Sequence, residues 1–160
     1  MIAVSNTSPL ILLDKIGHLW ILGKLFQHVI VSPAVNAEWL RPGGYKTPEW
    51  LEVKTLSPEA KQSSIDLSEK IDKGEAEAIA LFPFMKAGFL LLDDLKGRQT
   101  AKSLGFPVVG TVGLLVSVRQ KGIIDNLPAA FEALQNHKFY ITDEVLKKAL
   151  ALGYEEKADF

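Results

Sequence analysis

Residues 89–94, Phe-Leu-Leu-Leu-Asp-Asp, run four apolar side chains straight into two acids. An apolar run this short, preceded by Gly88 and ended by charge, reads as a strand buried on both faces. Residues 95–104 follow with a helical composition and stop at Gly105, the usual glycine end of a helix. Pro107-Val108-Val109 then reads as a second short strand, and Gly110-Thr111 opens another helix. Strand, helix and strand at this spacing make a βαβ unit, whose two strands run parallel. The chain is therefore expected to be α/β. Open parallel sheets carry their functional residues beyond the carboxyl ends of the strands. Asp93 and Asp94 stand at such an end.

The rest of the chain supplies the other elements. Residues 2–4 read as a first strand. The polar cluster Ser5-Asn6-Thr7-Ser8-Pro9 follows, with Ser8 expected as the N-cap of a helix and Pro9 in its first position. That helix should end near Gly17, and residues 18–26 suggest a second short apolar helix. Residues 28–31 read as strand two. Ser32-Pro33 repeats the cap-then-proline signal for a helix over 34–40, broken by Arg41-Pro42-Gly43-Gly44, with a loop through Tyr45, Lys46 and Pro48. Residues 51–56 alternate like a half-exposed edge strand. Ser57-Pro58-Glu59 starts a largely solvated helix, and Asp72-Lys73-Gly74 interrupts it. The next helix, 75–86, contains Pro83 and should kink or end early there. Residues 112–120, 128–135 and 143–152 complete the helices. The last of them starts acidic and carries Lys147 and Lys148 later, as the helix dipole favours.

A chain of 160 residues with 48% hydrophobic content suits a single globular domain, residues 1–160. The formal net charge of −1 means that any nucleic-acid site must be a local basic patch. With no cysteine, disulfides and thiolate metal sites are excluded, which fits a reducing compartment. No basic leader precedes an apolar stretch, and no apolar run approaches membrane-spanning length. The expectation is a soluble cytoplasmic protein with no membrane partner.

The residues that carry chemistry are acids and amides at strand ends or beside apolar helix faces. Asn6 follows strand one, and Asp93 and Asp94 follow the central strand. Glu38 lies next to the apolar face marked by Val35 and Trp39, and Glu75 shares a stripe with Ile79 and Phe82. Buried carboxylates are costly without a compensating cation. As clustered hard oxygen donors they suit Mg²⁺ or Mn²⁺, ions that activate water and stabilise charge on a phosphoryl group. Each residue also has a plainer role. Asp94 can N-cap the following helix, Glu75 can be a first-turn acid, Glu38 a rim residue and Asn6 a turn residue. Thr111 can cap a helix or donate to a phosphate. Lys96, Arg98 and Lys102, with Arg119 and Lys121, form either a phosphate-guiding patch or a solvated face. His18, His28 and His137 show no ligand spacing, and Trp20, Trp39 and Trp50 suit core or interface positions.

Five short motifs occur in one order: Val4-Ser5-Asn6-Thr7-Ser8-Pro9-Leu10; Pro33-Ala34-Val35 with Glu38; Gly74-Glu75-Ala76-Glu77-Ala78-Ile79; Leu92-Asp93-Asp94 with Gly97-Arg98 and Gly105; and Gly110-Thr111-Val112-Gly113-Leu114-Leu115. Over roughly residues 1–125 this pattern resembles PIN-domain proteins, and within them a prokaryotic subgroup near the VapC-type toxins. The resemblance implies a three-layer α/β/α fold with a central parallel sheet of four to five strands. It implies a metal-dependent ribonuclease, commonly a toxin held by a small antitoxin protein and often a homodimer. It maps the family's catalytic acids onto Asn6, Glu38, Glu75 and Asp93, the first a neutral amide here, and the Mg²⁺ or Mn²⁺ ligands onto Glu75, Asp93, Asn6 and Asp94. Thr7, Ser8, Arg98 and Thr111 are then expected to contact RNA. The family's first acid is usually aspartate. Asn6 can offer a metal its carbonyl oxygen, but neither charge nor a base. The alternative is a catalytically weak or inactive module on the same fold that binds RNA or a protein partner. A receiver-like phosphotransfer domain is disfavoured, because such domains pair acids after the first strand. The helices over 127–153 are expected at the periphery or at an interface.

Overall fold

The structure, a computed structural model, describes residues 1–39 and 47–155. The expected break at Arg41–Gly44 and the loop through Tyr45 and Lys46 lie outside the described residues. In chain order the elements are β1 (Ile2–Ser5), α1 (Thr7–Lys15), α2 (Ile21–Leu25), β2 (His28–Val31), α3 (Pro33–Trp39), β3 (Leu51–Val53), α4 (Pro58–Leu67), α5 (Lys73–Leu81), β4 (Phe89–Leu91), α6 (Leu95–Ser103), β5 (Val108–Val109), α7 (Thr111–Gln120), α8 (Leu127–Asn136) and α9 (Asp143–Gly153).

Five strands form one parallel sheet in the order β3-β2-β1-β4-β5. The order reverses between β1 and β4, which pair through Val4 with Leu90 and Ser5 with Leu91. That reversal opens a crevice beyond the carboxyl ends of these two strands. Asn6 and Asp93 flank it, and the Asn6 amide donates to the Leu91 carbonyl at 3.0 Å.

Alternation along the strands builds a core on each face. Ala3, Val29, Val31 and Leu91 point to one side, against Leu10 and Leu13 of α1, Ile21 and Leu22 of α2, and Leu114, Leu115 and Val118 of α7. Val4, Ile30, Leu90 and Leu92 point to the other, against Ala76, Ile79 and Leu81 of α5 and Ala101 of α6. The result is the expected three-layer α/β/α arrangement. Residues 127–153 are not merely peripheral. Leu127, Ala130, Phe131 and Leu134 of α8 and Ala149 of α9 belong to the first of these cores.

The cap-then-proline signals hold at two sites. Ser32 Oγ accepts from the Val35 amide and Ser57 Oγ from the Ala60 amide, each at 3.2 Å. They fail at Ser8. β1 runs to Ser5 and the chain turns directly into α1, with Asn6 at the cap position and Thr7 as the first helical residue. Pro9 then falls third in the helix, where its missing N–H would have had no intrahelical partner anyway. The edge strand β3 is shorter than the alternation suggests. At Pro83, α5 gives way to a 3₁₀ turn over Phe82–Phe84. Among the described residues no helix is long and apolar enough to cross a membrane.

Phe131 is among the largest fully buried side chains, at 1% exposure. Phe131→Ala should cost about 3–5 kcal/mol of stability. Denaturant unfolding reads this directly, and a cost near zero would mean that α8 is not part of the core.

Candidate metal centre

Three pieces of chain bring polar side chains to the crevice. The first is the turn from β1 into α1. Asn6 is 5% exposed, and Ser5 Oγ donates to the Asn6 carbonyl at 2.8 Å, fixing the turn. One residue on, Thr7 Oγ1 donates to Glu38 Oε2 at 2.6 Å. Thr7 therefore holds a carboxylate from α3 that otherwise faces solvent. Ser8, half-buried in the first turn, makes no side-chain hydrogen bond among the described residues.

The second piece is the start of α5. Asp72 is the cap residue, Gly74 is second in the helix and Glu75 third. A Cβ at Gly74 would lie 3.0 Å from Glu38 Oε1 and 3.4 Å from Asn6 Oδ1. A side chain at this position would press on both oxygen donors, which must then give way by a few tenths of an ångström. Glu75 is 8% exposed. Its Oε2 rests 3.2 Å from where a Cβ on Gly97 would be, at the start of α6. Burial first, then the charges of Asp94 and Asp72, raise the Glu75 pKa from 4.5 to about 7. A hydrogen bond from the Asp72 backbone opposes this, and Glu38 adds to it. Glu75 is thus both the first-turn acid of the plainer reading and the point where four carboxylates feel one another.

The third piece follows β4. Asp94 Oδ2 accepts from the Gly97 amide at 3.0 Å and so caps α6. Asp93 turns the other way. Its Oδ1 accepts from the Thr111 amide at 2.7 Å and its Oδ2 from Thr111 Oγ1 at 2.6 Å. Thr111 is therefore not the cap of α7. Gly110 holds that position, and the Asp93 carboxylate satisfies the helix terminus from outside. Burial pushes the Asp93 pKa up, against the two Thr111 hydrogen bonds and the nearby Arg98 guanidinium. A Cβ at Gly110 would lie 2.9 Å from Asp93 Oδ1 and 2.5 Å from Arg98 Nη1, so this glycine too makes room for the site.

The expected basic patch divides. Arg98 stays with Asp93, and Lys96 and Lys102 share its helix. Arg119 lies about 12 Å further along α7 than Thr111, and its guanidinium is 4.2 Å from the centroid of Tyr154. Glu77 is buried like Glu75, but it lines a separate cavity beside Pro33, Lys61 and Lys73.

Sequence reasoning gave Asp72 no site role and named the three glycines only as members of the motifs. The placement of Gly74, Gly97 and Gly110 within a few residues of the acids is a readable signal, because carboxylates that approach backbone need a position without a Cβ.

The donors fit a hard divalent cation in kind. They are carboxylate and amide oxygens, and their mutual repulsion is relieved by added positive charge. Each Asp93 oxygen keeps a lone pair beyond its Thr111 bond. Among the described residues no three Asp, Glu, His or Cys side chains close on a single point. The tightest convergence, around Gly74, pairs Glu38 with the neutral Asn6.

Because the folded state raises the Glu75 pKa, protonation stabilises it. That contribution is complete below the ordinary value of 4.5 and lost as pH rises through about 7. Without divalent ions, the melting temperature of the wild type should therefore gain on that of Glu75→Gln as pH falls from 8 to 5. Parallel melting curves across this range would show that Glu75 titrates normally.

Scanned against family models, the sequence matches the PIN-domain model over residues 2–155. Neither the curated proteins nor the solved structures give a match. PIN domains are in general metal-dependent nucleases and typically bind Mg²⁺ or Mn²⁺. The family match runs through both C-terminal helices, which share a core with the sheet that positions Asn6 and Asp93. With the parallel α/β sheet and its carboxylate edge in the same frame, the chain belongs to the PIN-domain family.

Proposed function

We propose that this protein is a Mg²⁺- or Mn²⁺-dependent endoribonuclease that hydrolyses RNA phosphodiester bonds. In this reading it is a VapC-like toxin of a toxin-antitoxin pair, cytoplasmic and homodimeric, restrained by a small antitoxin protein. One observation carries the chemistry. Around the sheet's switch point Glu38 and Asn6 share the space over Gly74, and the neighbouring Glu75 is raised to about 7 by its burial and then by the charges of Asp94, Asp72 and Glu38. Such repulsion is stable only where a cation or a proton can relieve it.

Asn6, Glu38, Glu75, Asp93 and Asp94 would hold the ion. When bound, it supplies Lewis acidity toward water and toward a phosphoryl oxygen. Thr7 fixes the Glu38 carboxylate and Thr111 fixes that of Asp93, so both arrive oriented. Glu75 holds a proton near neutral pH in the absence of the ion and gives it up as positive charge enters. Arg98 lies beside Asp93 and attracts the RNA backbone, with Lys96 and Lys102 extending that attraction along α6.

The buried Asn6 supports a second reading, a weakened module that binds RNA or a protein partner without cutting. The amide removes one negative charge where the family usually has aspartate. Calorimetric titration with Mn²⁺ separates the two. The nuclease reading expects binding that Asp93→Asn abolishes and Asn6→Asp tightens, with RNA cleavage following the same order. No binding at millimolar Mn²⁺ would leave only the module.

Thr111→Val removes one hydrogen bond to Asp93 and keeps the side-chain shape. It should reduce Mn²⁺ affinity or cleavage about 10–100-fold. An unchanged value would mean that the Thr111 hydroxyl does not orient a functional carboxylate.

A further inference from the structure

A cavity of about 610 Å³ opens next to Asp93 on the side away from Glu75's helix, between α6 and the segment joining α8 to α9. Arg98, Gln99 and Lys102 line one wall and Phe139 and Tyr140 the other, with Asp93 and apolar side chains such as Val112 and Ile141 among the rest of the lining. The α6 residues recur at helical spacing and form one stripe. Within the lining, two cations face a single carboxylate. Tyr140 is 84% exposed, a large aromatic held at the rim where packing does not require it.

We propose that this cavity is a nucleotide subsite. It takes one unpaired base of an RNA strand, stacked on Tyr140, with the flanking phosphates on Arg98 and Lys102 and the base edge toward Gln99. The volume falls in the range of small-ligand sites. An unstacked base is also the form in which proteins read single-stranded RNA, through aromatic faces and cations. A duplex keeps its bases stacked and cannot fill the cavity. The inference rests on the ribonuclease reading in one respect. Asp93 lines both the cavity and the candidate metal centre, so the bound nucleotide would adjoin the scissile phosphate. Tyr140 would then help to choose where the strand is cut.

The test is a set of single-stranded RNA oligonucleotides carrying 2-aminopurine at successive positions, titrated with full-length protein in metal-free buffer. Stacking on Tyr140 should quench one position selectively. Tyr140→Ala should abolish that quench and weaken binding about 10-fold or more, whereas Tyr140→Phe should preserve both. Lys102→Ala should weaken binding and reduce the slope of log affinity against log salt by about one. A melting temperature for Tyr140→Ala equal to that of the wild type excludes misfolding as the cause. Wild-type affinity and quenching in Tyr140→Ala would overturn the proposal, as would failure of the wild type to bind the strand. Cleavage with Mn²⁺ distinguishes the two claims. Quenching without cleavage sustains the subsite and removes the ribonuclease reading. Cleavage by a wild type whose binding is indifferent to Tyr140 does the reverse.

Discussion

A buried carboxylate, Glu75, ringed by exposed like charges sets the terms for this molecule. Carboxylates from α3, α5 and the β4–α6 turn are carried to one edge of a parallel sheet, where Glu75 and Asp93 are poorly solvated while Glu38 and Asp94 keep access to water. Burial and neighbouring charge both act in the same direction on Glu75. Hydrogen bonds answer part of the cost. Thr7 serves Glu38, Thr111 serves both oxygens of Asp93, and the Gly97 amide serves Asp94. None of these groups neutralises charge, and Arg98 is the cation that acts on Asp93. What remains is uncompensated negative charge at a fixed place, the feature on which the proposed metal-dependent activity rests.

The scaffold keeps that place rigid. β1 and β4 lie at the centre of the sheet with apolar layers on both faces, so the backbone leading to Asn6 and Asp93 cannot shift without disturbing both cores. Glycine provides the remaining space. Gly74, Gly97 and Gly110 each stand where a carboxylate or amide oxygen approaches within the distance a Cβ would occupy. The closeness of the donors is thus built into the backbone; substitution at these glycines would disturb the site, and at Gly97 it would also press on Leu92 of the second core.

Much of this was legible in the sequence. The run into Asp93-Asp94 marked β4 as a strand buried on both faces, although the central place in the sheet belongs to its neighbour β1, and the parallel class followed from the helix between two short strands. Ser32 and Ser57 behave as caps because each stands next to a proline in the first helical position. Ser8 shows the same pattern and misleads. The length of β1 and its pairing with β4 decide where α1 starts, and that is tertiary information. Thr111 misleads for a related reason. Its donors are claimed by Asp93, eighteen residues earlier, and a local reading sees only the cap position. Asp94 turned out to have its plain capping role as well as a share in the charge on Glu75. The part played by Asp72 and the exposure of Tyr140 depend on contacts between elements, which periodicity does not report.

The central claim is that a divalent ion binds at this crevice and draws the surrounding oxygens together. A crystal soaked in Mn²⁺ and measured at a wavelength where manganese scatters anomalously tests this most directly. The account predicts one strong anomalous peak at the crevice between β1 and β4, among the oxygens of Asn6, Glu38, Glu75 and the Asp93-Asp94 pair. A protein saturated with Mn²⁺ that shows no peak there, or whose only peaks lie away from these oxygens, would contradict it.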